Sequence, residues 1–217
     1  MNDTPIRIRV RYSKVGNLRF VGHLDTQRLF ERALRRANLP LRYTQGFNKR
    51  IRLNLASALP LGFTSSAEVL DFWLDEALDS REIFQKLQEA LPAEIRIIDL
   101  NPVSNSLPSL QASVLSSDYR IWLPRNLRPE DFQQKLDQLL QAPEILVSRR
   151  NKSVDYKPLI FESDLQTDSD SKLVWNLRLS STPEGNARPD DILNLLEINP
   201  AVCLIERVGL NFITEVE

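Results

Sequence analysis

Apolar and basic residues alternate at the start of the chain. Ile6, Ile8, Val10 and Tyr12 fall on one face and Arg7, Arg9 and Arg11 on the other, the period of a half-buried strand. The period then lengthens: Phe30, Ala33, Leu34 and Ala37 recur at i, i+3, i+4 and i+7, which predicts a helix over 23–38 that stops before Pro40. Residues 43–48, punctuated by Gly46, read as a turn, and alternating Ile51, Leu53 and Leu55 as a second strand. A third strand is predicted over 68–74 and a helix over 80–91, with Ser80 as N-cap and Glu82 in its first turn. A fourth strand follows over 94–100. The order is β-α-β-β-α-β, that of a ferredoxin-like unit.

The same order is expected to recur. After a Pro- and Ser-bearing linker at 103–109, the pattern gives a strand over 112–123 and a helix over 129–141 opened by Pro129. Strands are predicted over 144–149, with an extension towards Ile160, and over 172–180. A short helix over 189–196 and a last strand over 203–216 complete the second set. Residues 161–171, rich in Asp and Ser, read as an exposed loop. The predicted class is α+β, two tandem ferredoxin-like units: a basic domain at 1–102 and a second at 110–217. Trp73, Trp122 and Trp175 sit within strand patterns and are expected in the core.

Charge changes the picture more than composition does. Residues 1–52 carry 13 Lys+Arg against 3 Asp+Glu, a net +10, and the remainder carries −11. Such asymmetry points to a polyanion partner for the basic part, and RNA is the expected one. The single cysteine, Cys203, excludes an internal disulfide, and with His23 it gives too few ligands for a structural zinc or an iron–sulfur cluster. No phosphate-binding glycine loop and no G-x-S-x-G elbow is present. No cofactor or metal is therefore expected. The first residues, MNDTPIRIRV, lack the apolar core of a signal peptide, and no stretch is long and apolar enough to span a bilayer. The expectation is a cytoplasmic protein without a membrane partner.

On the first predicted helix Arg28, Arg32, Arg35 and Arg36 fall opposite the apolar stripe, with Asp25 at the edge. Forked guanidinium groups on one exposed face suit phosphate oxygens. Lys14 and Arg19 precede this helix and extend the basic track. In the turn that follows, Phe47 or Tyr43 offers a ring for base stacking, Gln45 and Asn48 can reach base edges, and Lys49 and Arg50 can neutralise phosphate. Arg149, Arg150 and Lys152 form a second, smaller basic cluster. His23, at the helix start, is the one candidate general base, and a helix N-terminus lowers an imidazole pKa.

These residues carry a family resemblance over nearly the whole chain. Lys14-Val-Gly-Asn-Leu-Arg19-Phe20, His23-Leu-Asp25, Arg32-Ala-Leu-Arg-Arg-Ala37, Leu39-Pro40 and Gln45-Gly-Phe-Asn48 resemble bacterial radical-SAM-linked proteins, a domain of unknown function. Leu59-Pro-Leu-Gly62, Ser65, Glu68, Arg150-Asn-Lys152, Asp155 and Arg188-Pro-Asp190 continue the match. The resemblance implies an accessory that occurs beside or fused to a cobalamin-binding radical SAM enzyme, with a role in RNA or protein modification. Three positions depart from it: Gly22 stands where the family usually has Ser, and Lys49 and Ile51 stand where it has prolines. Three functions remain open. One is a non-catalytic module that presents RNA, tRNA or rRNA, to a radical SAM partner in trans or as a fusion. Another is a metal-independent endoribonuclease using His23. The third is a protein adaptor that docks the radical SAM enzyme.

Overall fold

The computed structural model describes residues 4–149 and 152–213 and divides the chain into two compact units, Met1–Val114 and Leu115–Glu217. The chain is α+β, with its strands mostly in antiparallel pairs. The first unit runs β1 (Ile6–Lys14), α1 (His23–Arg36), β2 (Leu53–Leu55), β3 (Thr64–Leu74), α2 (Ser80–Ala90), β4 (Ile95–Val103) and a single turn, α3 (Leu110–Ser113). β1 lies between β4 and β3, and β2 pairs with β3, all antiparallel. The segment read as a linker lies inside this unit, where Arg7 donates to the carbonyls of Leu107 and Pro108 at 2.9 and 3.0 Å.

The even positions of β1 face the helices, as the alternation predicts. Ile8, Val10 and Tyr12 join Phe30, Ala33 and Leu34 of α1 and Ile83 and Leu87 of α2 in one apolar cluster. Tyr12 meets Phe30 edge to face at 4.7 Å. Helix α1 ends before Asn38, whose φ of 50° places it in the left-handed region where Asn stops a helix at little cost. The cap of α2 is one residue earlier than expected: Asp79 accepts from the amides of Arg81 and Glu82, and Ser80 is the first helical residue.

The second unit runs β5 (Val114–Trp122), α4 (Pro129–Gln141), β6 (Leu146–Arg149), β7 (Lys152–Asp155), β8 (Ile160–Thr167), β9 (Leu173–Ser180), α5 (Pro189–Leu195) and β10 (Leu204–Phe212). Its strand order is β10-β5-β9-β8, while β6 and β7 form a separate hairpin. Two expectations are corrected here. The strand predicted at 144–149 does not extend into the main sheet but turns back as that hairpin. The stretch 161–171, expected as a loop, is mostly β8, the strand at the end of this order. Pro129 opens α4 as predicted, and Phe132 of α4 packs edge to face on Trp175 at 5.4 Å. Trp73 and Trp175 are core residues, whereas Trp122 is half-buried.

Candidate nucleic-acid interface

Helix α1 turns one continuous stripe to solvent. Val21, Asp25, Arg28, Leu29, Arg32 and Arg36 line a groove of about 610 Å³ closed by Glu89 to Pro92 at the end of α2. Arg28, Arg32 and Arg36 stand four residues apart, about 6 Å of rise each, so they repeat along the groove in one row. Their partners differ. Arg28 pairs with Asp25 at 2.9 Å, both groups exposed. Arg36 donates to the Ala90 carbonyl at the end of α2. Arg32 has no acidic partner among the described residues. Arg35, on the flank, stands 4.0 Å from Glu31. Exposed pairs of this kind contribute little, so a phosphate can replace the carboxylate at small cost.

Residues 41–53 fold as a narrow hairpin. Leu41 bridges to Leu74 and Tyr43 to Ile51, and Thr44 closes the tip by accepting from the Arg50 amide at 3.1 Å and donating its own amide to the Arg50 carbonyl. Gln45, Gly46, Phe47, Asn48 and Lys49 therefore project at the end, all exposed, with Phe47 at 104% relative exposure. The Phe47 ring is therefore open to solvent on both faces.

Several basic residues lie elsewhere than the charge count suggests. Arg7 and Arg9 do not contribute to a basic surface: both are buried against Asp71, which is fully enclosed, at 2.5 and 2.7 Å. The Nη1 of Arg9 has no partner among the described residues. Lys14, expected on the RNA track, is also turned inward, its ammonium donating to the Val21 carbonyl at 2.6 Å. Arg19 is half-buried with its guanidinium over the ring of Phe20 at 4.7 Å. Arg52 lies over Trp73 on the sheet face opposite α1.

The second cluster is divided. Arg149 is tied into a network, 3.6 Å from Asp191 and 3.3 Å from the Tyr156 hydroxyl, which itself donates to Asp191 at 2.6 Å. Lys152 is exposed on β7. Arg150 lies outside the described residues. Arg188 pairs with Asp190 at 2.6 Å. Sequence reading missed both the Tyr156 network and the Arg52–Trp73 stack, because each joins residues about 20 to 40 positions apart with no shared period.

His23 is the first residue of α1, partly buried, and is not among the residues lining the groove. Among the described residues no three His, Cys, Asp or Glu groups come close enough to hold a metal ion. Burial pushes the Cys203 thiol up to about 11, so it is protonated and unreactive at neutral pH. No helix of the described residues is long and apolar enough to cross a membrane.

A chain in the crystal structure titled "Crystal Structure of a Cbf5-Nop10-Gar1 Complex" superposes with a TM-score of 0.46 at 8% identity, over 94% of this chain and 47% of that one. This chain thus spans about half of that chain's length. Among curated proteins none matches. The family model for an uncharacterized protein conserved in bacteria (DUF2344) matches residues 7–189, and the chain belongs to that family.

Proposed function

We propose that this protein is a non-catalytic RNA-binding module that presents a tRNA or rRNA to a radical SAM partner enzyme. The observation that carries the RNA half is the α1 groove with its row of Arg28, Arg32 and Arg36, together with the exposed hairpin tip of Gln45, Phe47, Asn48 and Lys49. Guanidinium groups in a row suit a phosphate backbone, and an exposed ring flanked by amides suits an unstacked base. The radical SAM half rests on the sequence resemblance. We take each unit as ferredoxin-like, since β4-β1-β3-β2 and β10-β5-β9-β8 follow the same order, the second with the β6–β7 hairpin inserted.

The adaptor reading has one observation in its favour: Phe20, Leu24 and Leu61 are 62, 66 and 63% exposed. Cleavage by His23 has none, because the imidazole stands outside the groove.

Crosslinking of the tagged protein in cells, followed by RNA sequencing and mass spectrometry of one pull-down, tests the proposal. Enrichment of one tRNA or rRNA region, lost in Arg32→Ala/Arg35→Ala, is expected together with a radical SAM enzyme. Recovery of that enzyme with no enriched RNA would make the adaptor reading the better one.

A further inference from the structure

The sheet of the first unit has a second face, away from α1, and one recess on it is built unlike the rest. The recess, about 340 Å³, is lined by Arg7, Arg52, Asn54, Trp73 and Asn105. At its floor the Trp73 ring is covered from solvent. The Arg52 guanidinium lies 4.2 Å from the ring centroid and that of Arg7 5.4 Å. The indole nitrogen donates to the Asn105 side chain at 3.0 Å, and the Asn105 amide donates to the Pro5 carbonyl, so the floor is fixed in place. Arg7 is held from behind by Asp71 and by two carbonyls.

Two groups in this recess have no polar side-chain partner among the described residues. Arg52 is exposed and has no acidic partner among the described residues, whereas its cross-strand neighbour Arg42 pairs with Asp75 at 2.8 Å. The Asn54 amide makes no hydrogen bond to a described residue, although it stands beside the recess through its pairing with Asp71. A guanidinium plane stacked on indole presents its other plane outward, and bases stack on such planes as they do on aromatic rings. An amide at the rim is the group that reads a base edge.

The geometry points to a nucleotide site in this recess: one unpaired base stacks on Arg52 above Trp73, and Asn54 hydrogen-bonds its edge. Lys49 and Arg50, on the same hairpin as Arg52 and two to three residues before it, are the cations offered to the flanking phosphates. A base with its face on Arg52 and its edge on Asn54 is neither stacked nor paired in a duplex, so the ligand is a single-stranded stretch of nucleic acid or a free nucleotide. The inference shares the premise of a nucleic-acid ligand with the proposed function but uses the opposite face of the sheet.

Intrinsic tryptophan fluorescence of the full chain tests it, titrated with the ribotetranucleotides of A, C, G and U and separately with AMP and UMP. At least one tetranucleotide is expected to quench emission, and Trp73→Phe is expected to remove the quenching. Arg52→Ala and Arg52→Lys should each weaken that tetranucleotide about tenfold, lysine keeping the charge but lacking the stacking plane. Arg52→Lys is the variant that guards against misfolding. Equal affinity for AMP or UMP would assign the site to a free nucleotide, and preference for the tetranucleotide to a strand. Unchanged binding in both Arg52 variants, quenching that survives Trp73→Phe, or no quenching by any probe overturns the site. Arg32→Ala/Arg35→Ala separates the two ideas: its in-cell RNA loss with unchanged Arg52 binding keeps the groove and sinks the recess, and the reverse keeps the recess alone.

Discussion

Asp71 of β3 ties two arginines of β1 to its own strand inside the first unit. Its enclosed carboxylate accepts from Arg7 and Arg9, and Arg7 in turn grips the carbonyls of Leu107 and Pro108. Removing one partner of a buried pair leaves the other charge without water or counter-ion. Asp71→Ala strands two guanidinium groups and is expected to cost about 3–5 kcal/mol, a large share of a typical domain's stability, read as a fall in the denaturant midpoint. In the second unit Tyr156 plays a comparable part. Burial first, and the bond to Asp191 second, push its hydroxyl up to about 12. An unfolded tyrosine ionises near 10, so as the pH rises from about 10 to about 12 the unfolded chain releases a proton that the folded chain keeps. Stability is therefore expected to fall across that window and to be independent of this group below it. Tyr156→Phe should remove that part of the slope while costing about 1 kcal/mol at neutral pH, checked by chemical denaturation at pH 7 and pH 11.

At the scale of elements, the sequence was legible where one face is apolar and closed where neither is. Helix α1 declares itself through Phe30, Ala33 and Leu34, and Pro129 marks the first residue of α4. Strand β8 is hidden because the polar residues Glu162, Ser163, Asp164, Gln166 and Thr167 fall on both its faces, as a strand at the end of its order tolerates. The basic row on α1 was readable from the wheel, but which of the thirteen cations in residues 1–52 face water was not. Arg7 and Arg9 alternate like a solvent face, yet Asp71, more than 60 positions away, turns that face into a second buried layer. The helix α2 cap shows the same limit on a smaller scale, since Asp79 and Ser80 are both good N-caps. Only the backbone decides between them, and it selects Asp79, which accepts at 2.9 and 3.3 Å. Asp79→Ala is expected to lower stability by about 1 kcal/mol and Ser80→Ala to leave it nearly unchanged, a contrast visible in paired thermal melts.

Across the whole molecule the charge asymmetry is softer than the first residues suggest. The unit Met1–Val114 carries a net +4 and the unit Leu115–Glu217 a net −5. Arg7, Arg9 and Lys14 are lost to the interior, and Arg149 to its network, which leaves Arg28, Arg32, Arg35, Arg36, Lys49 and Arg50 as the cations that phosphate can reach from α1 and the tip. Each cation that displaces a condensed counter-ion from a single strand adds about 0.7 to the magnitude of the slope of log K against log salt. Six full contacts set a ceiling of about −4, and competition from Asp25 and Glu31 brings the expected slope to about −2 to −4. Fluorescence anisotropy of a labelled single-stranded RNA between about 50 and 200 mM salt measures it. A slope near zero would remove the phosphate contacts from the proposal, whereas one much steeper than about −4 would require cations beyond these six. Arg32→Ala should flatten the slope by about 0.7 without changing the preference among RNA sequences, because a phosphate contact carries position and no base identity.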